Sequence, residues 1–204
     1  MLYNSNMRGD RLNETLLKWK LKHFSPIRTE RLTVRKMRVS DALSMNEYAT
    51  LPIVSEYLLW TPHLNLAETQ GHIEFICARY EKGLVGDWGV CLRDSDRLIG
   101  TCGYAGIDTK KSELEIGYVM SPEYWGKGYM TEALDAVLKY TFCTLGAKAA
   151  VVRIMQGNER SVRLAERVGF VYDYTVENEL FVKGVHRTIL HYRLTRQRYF
   201  ELKK

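Results

Sequence analysis

Apolar and polar residues alternate along this chain with two periods, and the switches between them mark out its elements. A helical period comes first: Leu12, Leu16, Leu17 and Leu21 space a short amphipathic helix within residues 11–24. Leu32 and Val34 alternate inside Arg31–Arg38, which predicts the first strand. Ser40 is placed to cap a helix running to about Ala49, and Pro52 to open a short one ending near Leu59. Ile73, Ile76, Cys77 and Tyr80 form the inner face of a longer helix over Ala67–Lys82, stopped by Gly83. Three strands follow at about Asp87–Leu92, Leu98–Gly106 and Ser112–Met120. Asp94-Ser95-Asp96 and Thr109-Lys110-Lys111 supply the turns, so antiparallel pairing is expected.

The most informative stretch is Glu113–Leu134. Leu114, Ile116, Tyr118 and Met120 alternate with Glu113, Glu115, Gly117 and Val119, the period of a strand that Pro122 must end. From Tyr129 the period turns helical, with Met130, Ala133, Leu134, Val137 and Leu138 on one stripe, and the helix should reach Leu145 before Gly146. Ala149–Met155 is β-branched and apolar enough for a buried strand. A helix separates it from the strand ending at Met120, so the two should be parallel neighbours. Asn158 is a cap for a helix through about Arg167, with Gly169 as its stop. Two last strands, Val171–Val176 and Thr188–Leu194, are expected to be joined by a long loop containing Lys183-Gly184. The order is that of a mixed α/β domain.

Between the strand and helix of the central stretch lies Gly126-Lys127-Gly128. Glycine lets backbone approach a ligand, and the first N–H groups of a helix lack partners and face an anion favourably. Gly126–Thr131 therefore reads as a pyrophosphate cradle, with Lys127 beside it; a tight turn alone is the competing reading. No G-x-x-x-x-G-K-[ST] occurs, which disfavours a P-loop hydrolase. Gly100, Gly103 and Gly106 mimic a dinucleotide fingerprint, but a polar turn and another strand follow them instead of a helix.

Composition narrows the class. The 204 residues suit one domain, and 46% apolar with 26% charged residues is ordinary for a globular protein. No apolar run approaches a membrane span, and residues 1–24 lack a secretory signal, so a cytoplasmic location with no membrane partner is expected. Cys77, Cys91, Cys102 and Cys143 form no C-x-x-C pair and sit among apolar neighbours, as buried free thiols would; no metal site is implied. The net charge of +6 is uneven: residues 1–38 hold ten Lys and Arg against three Asp and Glu, and the remainder twenty against twenty-one. Residues 1–26 thus read as a basic extension, 27–196 as the domain and 197–204 as a tail. The extension is either a solvated arm or a surface for RNA, an acidic protein or cofactor phosphates. No aromatic platform accompanies it, which ranks nucleic acid low, and its helix could pack on the domain or a second subunit.

Glu123-Tyr124-Trp125-Gly126-Lys127-Gly128 resembles the Q/R-x-x-G-x-G/A signature of the GNAT superfamily of acetyl-CoA-dependent N-acetyltransferases, with Glu123 as its one departure. EIGYVMSPEYWGKGYMTEAL, then Asn158-Glu159-Arg160-Ser161 and Glu166-Arg167-Val168-Gly169-Phe170, look most like the RimJ/RimL branch of ribosomal-protein N-terminal acetyltransferases. The resemblance covers roughly residues 27–196. It implies a GNAT fold: a mostly antiparallel sheet whose strands ending at Met120 and Met155 splay apart to admit acetyl-CoA, flanked by helices. Backbone near Val119 and Met120 would hold the pantetheine arm, Gly126, Lys127, Gly128, Tyr129, Met130 and Thr131 the pyrophosphate, and Asn158 and Ser161 the far side of the pantetheine. Helix capping explains the last two equally well.

Acetyl transfer to an amine requires a neutral nitrogen, a stabilised oxyanion and a leaving thiolate. The Met120 N–H is the expected oxyanion donor. Glu115, on the strand leading to Met120, is the expected base, with Glu113 second and His63 or His72 as further candidates. Many relatives place a tyrosine acid where this chain has Ala165, so no acid is assigned. The acceptor could be a protein N-terminus, a polyamine or an amino sugar, and a non-catalytic acyl-CoA-binding module is the reading from another class. Contacts to the acceptor are expected in the helical stretch Leu51–Leu66 and the loop Glu177–Gly184.

Overall fold

The computed structural model describes residues 11–84 and 87–204. Its centre is an eight-stranded sheet in the order β1-β2-β3-β4-β5-β6-β8-β7. The strands are β1 (Ile27–Arg28), β2 (Leu32–Arg35), β3 (Asp87–Leu92), β4 (Leu98–Asp108), β5 (Glu113–Met120), β6 (Ala149–Met155), β7 (Val171–Val182) and β8 (Val185–Thr195). Every neighbouring pair is antiparallel except β5 and β6. Those two are joined through helix α5 (Tyr129–Lys139), and such a crossover returns the chain in the same direction. The mixed α/β architecture expected from the patterning is therefore present.

The parallel pair shapes the molecule. Glu113, Leu114 and Glu115 pair with Ala149, Ala150 and Val151, and pairing stops there. β5 runs on for five residues on β4, and β6 for four on β8, with a gap between them. Below the gap the sheet is zipped, with Leu114 of β5 and Ala150 of β6 buried, and Ile116, Val152 and Ile154 carry the apolar surface up into the fork itself. The stripe Ala133, Leu134, Val137 and Leu138 of α5 is fully buried in the same cluster. At about 1.5–3 kcal/mol for each large aliphatic side chain, that stripe anchors the helix below the fork.

Four more helices build the remaining walls: α2 (Ala42–Ala49), α3 (Pro52–Ser55), α4 (Leu66–Glu81) and α6 (Glu159–Arg167). α1 (Glu14–Lys22) is capped by Asn13 and buries Leu17 and Leu21, while Leu16 faces outward. The first ten residues of the basic extension lie outside the described residues. The final residues, expected as a tail, form a short helix α7 (Arg196–Glu201) whose Tyr199 packs on Phe142.

Some boundaries differ from the sequence reading, each for a local reason. Ser40 does not cap α2: residues Val39–Asp41 make a 3-10 turn, and Asp41 accepts from the Arg38 N–H and from both terminal nitrogens of the buried Arg35. The long loop before β8 is instead a continuous hairpin. Lys183 (φ +51°) and Gly184 (φ +76°) make a two-residue turn of the kind that matches strand twist. The polar run Glu177-Asn178-Glu179, which reads as loop, is a bulge in β7 with Asn178 at φ +55°. Among the cysteines, Cys91 and Cys102 are buried, but Cys77 is half-buried and Cys143 exposed, because Cys143 falls on the outer side of the π-helical turn that ends α5.

Candidate active site

The fork between β5 and β6 opens into a cavity of about 440 Å³, a size suited to a small molecule or cofactor arm. One end is the N-terminus of α5. Gly126 (φ +73°) and Gly128 (φ +79°, ψ 0°) both adopt left-handed backbone, so the glycines are required here for conformation. Gly128 caps the helix, and no side chain makes a capping hydrogen bond at its mouth. The first intrahelical bond is Glu132 N–H to Gly128 carbonyl, so the N–H groups of Tyr129, Met130 and Thr131 precede the ladder and are free for an anion. Arg31 fixes the loop: its Nη1 donates to the Lys127 carbonyl at 3.0 Å, its Nε to Glu132 Oε2 at 2.7 Å, and its guanidinium stacks 4.4 Å from the Tyr129 ring centre.

Strand register sets what the fork offers. The Ser121 N–H donates to the Ile99 carbonyl at 2.9 Å, so the Gly100–Met120 pair beside it is a non-hydrogen-bonded one. The N–H and carbonyl of Met120, and those of Tyr118, therefore face away from β4 and into the fork, whereas those of Val119 are turned toward Thr101. The Met120 carbonyl accepts the Trp125 indole N–H at 2.7 Å, and the Arg160 guanidinium stacks on that indole at 4.1 Å. The N–H groups of Met120 and Tyr118 are left as open donors of the strand, that of Met120 at its end. Across the gap, Tyr118 Oη and Ser161 Oγ are hydrogen-bonded at 2.7 Å. Burial pushes the Tyr118 phenol up to about 12, against a smaller opposing effect of Ser161, so it stays protonated at neutral pH.

A cleft with a bare helix mouth at one end and an unpaired strand N–H at the other fits a long molecule bearing phosphates and an amide-rich arm. Comparison with known proteins agrees. The family model "Acetyltransferase (GNAT) domain" matches residues 31–171.

This chain belongs to the GNAT acetyltransferases.

"Uncharacterized N-acetyltransferase p20" of Bacillus licheniformis is 31% identical over 142 residues, 70% of this chain and 80% of that one. The spermidine N(1)-acetyltransferase of Escherichia coli K12 is 27% identical over 81 residues, 40% of this chain and 42% of that one. Among solved structures, the RimL ribosomal L7/L12 alpha-N-protein acetyltransferase in complex with coenzyme A superposes with a TM-score of 0.73 at 16% identity, covering 84% of this chain and 98% of that one. A GNAT-family structure from Chromobacterium violaceum covers 98% of this chain at a TM-score of 0.79 and 21% identity. At these identities the structures establish the fold. GNAT acetyltransferases use acetyl-CoA, and the cleft described above has the parts to hold it.

The expected site residues are distributed unevenly over this GNAT cleft. Val119, Met120, Gly126, Gly128, Tyr129, Met130, Thr131, Asn158 and Ser161 all border the cavity. Asn158 does so while capping α6, its Oδ1 accepting from the Ser161 N–H at 3.2 Å. Lys127 is off the cavity wall, with its ammonium 5.7 Å from the Tyr124 ring centre. Glu123 is exposed and also off the wall. Glu115, expected as the base, is ion-paired instead: Arg153 Nε donates to its Oε1 at 2.8 Å, and the carboxylate does not border the cavity. Glu113 is held by Arg193. His63 is buried with Nδ1 on Thr69 Oγ1, and burial lowers both its pKa and that of His72; neither borders the cavity. Trp125, Tyr118 and Arg153 are cavity residues that motif spacing did not single out, whereas Ile53 and Val54 of α3 fall within Leu51–Leu66, the stretch expected to meet the acceptor.

Proposed function

We propose that this protein transfers an acetyl group from acetyl-CoA to the primary amine of a peptide N-terminus by direct attack within a ternary complex. The observation that carries the reading is the pairing of two backbone features on one cavity, the Met120 N–H and the free amides opening α5. The α5 mouth holds the pyrophosphate by Tyr129, Met130 and Thr131 N–H groups. The fork edges of Tyr118 and Met120 take the amides of the pantetheine arm as a further strand would. Acetyl-CoA supplies an acyl carbon already activated as a thioester, so the protein's part is orientation and charge stabilisation.

The Met120 N–H is the donor for the oxyanion; one such donor contributes roughly 3 kcal/mol in other acyl-transfer enzymes. Trp125 steadies the end of the strand, because its indole N–H on the Met120 carbonyl holds the Met120–Ser121 peptide group, while the Met120 N–H shares its own peptide plane with the Val119 carbonyl, which is turned toward β4. The Tyr118–Ser161 hydroxyl pair supplies an O–H to the departing sulfur, filling the role that Ala165 cannot. An N-terminal amine with a pKa near 8 is about one-tenth neutral at pH 7, so it can arrive without a dedicated base; as the C–N bond forms and the C–S bond breaks, the proton shed by the acylated nitrogen balances the one the departing sulfur takes up through the hydroxyl pair. Glu115 is accordingly assigned to holding Arg153. The support for a peptide acceptor is the sequence resemblance to the RimJ/RimL branch together with a fold shared with RimL. The test is thiol release from acetyl-CoA across peptides, amino acids and polyamines. Background release with every amine, while acetyl-CoA still binds, would end the proposal.

A further inference from the structure

The proposed reaction leaves open which atoms beyond the nitrogen the enzyme reads, and one side chain on the cavity wall bears on that choice. Arg153 lies on β6 two residues past the last residue paired with β5, so it is the first charged side chain inside the fork. At the same level on β5 stands Gly117, where even an added Cβ would meet only the Ala105 methyl at 3.6 Å, so nothing on that strand competes for the space. The guanidinium is clamped rather than loose. Nε donates to Glu115 Oε1 at 2.8 Å and Nη1 to Glu179 Oε1 at 3.2 Å. Glu179 is held in turn by His191 Nε2 at 2.5 Å, and the His191 imidazole stacks on Tyr174 with ring centres 4.2 Å apart. Nη2 makes no hydrogen bond with a described residue, and the side chain keeps 32% of its exposure. A planar cation fixed on two nitrogens and open on the third is preorganised to take an oxygen.

We propose that Arg153 reads the acceptor, its Nη2 donating to a carbonyl or carboxylate oxygen within the first two residues after the attacked amine. The inference rests on the transferase reading above and narrows its substrate class. Three strand residues separate the level of Arg153 from that of Met120, about 10 Å. The arginine spans much of that distance, and one or two extended residues at about 3.4 Å each cover the rest. A polyamine offers no oxygen and would bring a second cation against the guanidinium, which selects against it.

The test compares four acceptors with matched reactive ends: an alanyl peptide amide, free alanine, ethylamine and spermidine, with kcat/KM expressed per neutral amine. The wild-type enzyme is expected to prefer the peptide amide over ethylamine by at least about 30-fold. Arg153→Met should cut that ratio at least tenfold through KM of the peptide, and Arg153→Lys should retain part of it. Glu179→Gln, which loosens the clamp, should fall between wild type and Arg153→Met. Alanine outperforming the peptide assigns the oxygen to a carboxylate; the reverse assigns it to an amide carbonyl, and both uphold the role of Arg153. A wild-type enzyme that prefers neither the peptide amide nor alanine over ethylamine, or a preference unchanged in Arg153→Met, overturns it while the transferase reading stands. If Arg153→Met does not fold, the wild-type panel and Arg153→Lys decide by the same ratio. No thiol release with any of the four removes the transferase reading and this inference together.

Discussion

Glu115→Gln separates two accounts of the same carboxylate, because they differ in magnitude by more than tenfold. The substitution preserves shape and removes charge. In the structure it deletes one of two carboxylates that hold Arg153, in a pair whose side chains are 22% and 32% exposed. Partly exposed pairs of this kind contribute about 0.5–1 kcal/mol, so stability and peptide KM should each change by no more than about that amount, a factor of roughly two to five. The maximal rate should stay near wild type, and kcat/KM should still rise with pH following the amine's own titration near 8. A general base would behave otherwise: its loss typically costs 10²–10⁴-fold in rate and removes the carboxylate from the acid side of the profile. Steady-state kinetics from pH 6 to 9, with thiol release as readout, measure all of these quantities. A hundredfold fall in kcat at unchanged peptide KM would refute the assignment of Glu115 to positioning.

Other expectations follow from the same geometry. Gly128→Ala places a Cβ at φ +79° and should cost about 1–2 kcal/mol in a denaturant midpoint while weakening acetyl-CoA binding. Tyr118→Phe and Ser161→Ala should each lower kcat, and the double variant should lose less than the product of the two, because both remove one shared hydrogen bond. Burial by itself would raise the Glu132 carboxyl, but the Thr29 hydroxyl and the Arg31 backbone and side chain hold it below its ordinary range. That stability is complete above the unfolded carboxylate's pKa of about 4.3 and is lost as pH falls through the lower folded value, so Glu132→Gln should flatten the decline of the urea midpoint below pH 5.

How far the sequence spoke depended on whether a feature was local. The strand, glycine loop and helix of Glu113–Leu134 are coded by period and by two glycines in left-handed backbone, and all three are present where the pattern puts them. The parallel pair follows from a helix between two strands. The length of the β7–β8 hairpin does not follow, because Glu177-Asn178-Glu179 has loop composition and only the tertiary partner of Glu179 explains it as a bulge. The partner of Glu115 was equally hidden: Arg153 is 38 residues away, and alternation along β6 shows only that it faces outward. The register to β4 was hidden in the same way: side-chain alternation on β5 does not show which residues turn their N–H groups to β4, and only the pairing shows that Met120, and not Val119, turns its N–H into the fork.

The account's central claim concerns one cleft, and backbone amide chemical shifts during an acetyl-CoA titration test it directly. The largest changes should fall on Met120, Tyr129, Met130 and Thr131, with Val119 moving less. Saturating acetyl-CoA that leaves those four amides unmoved, or that shifts a different surface instead, would contradict the account.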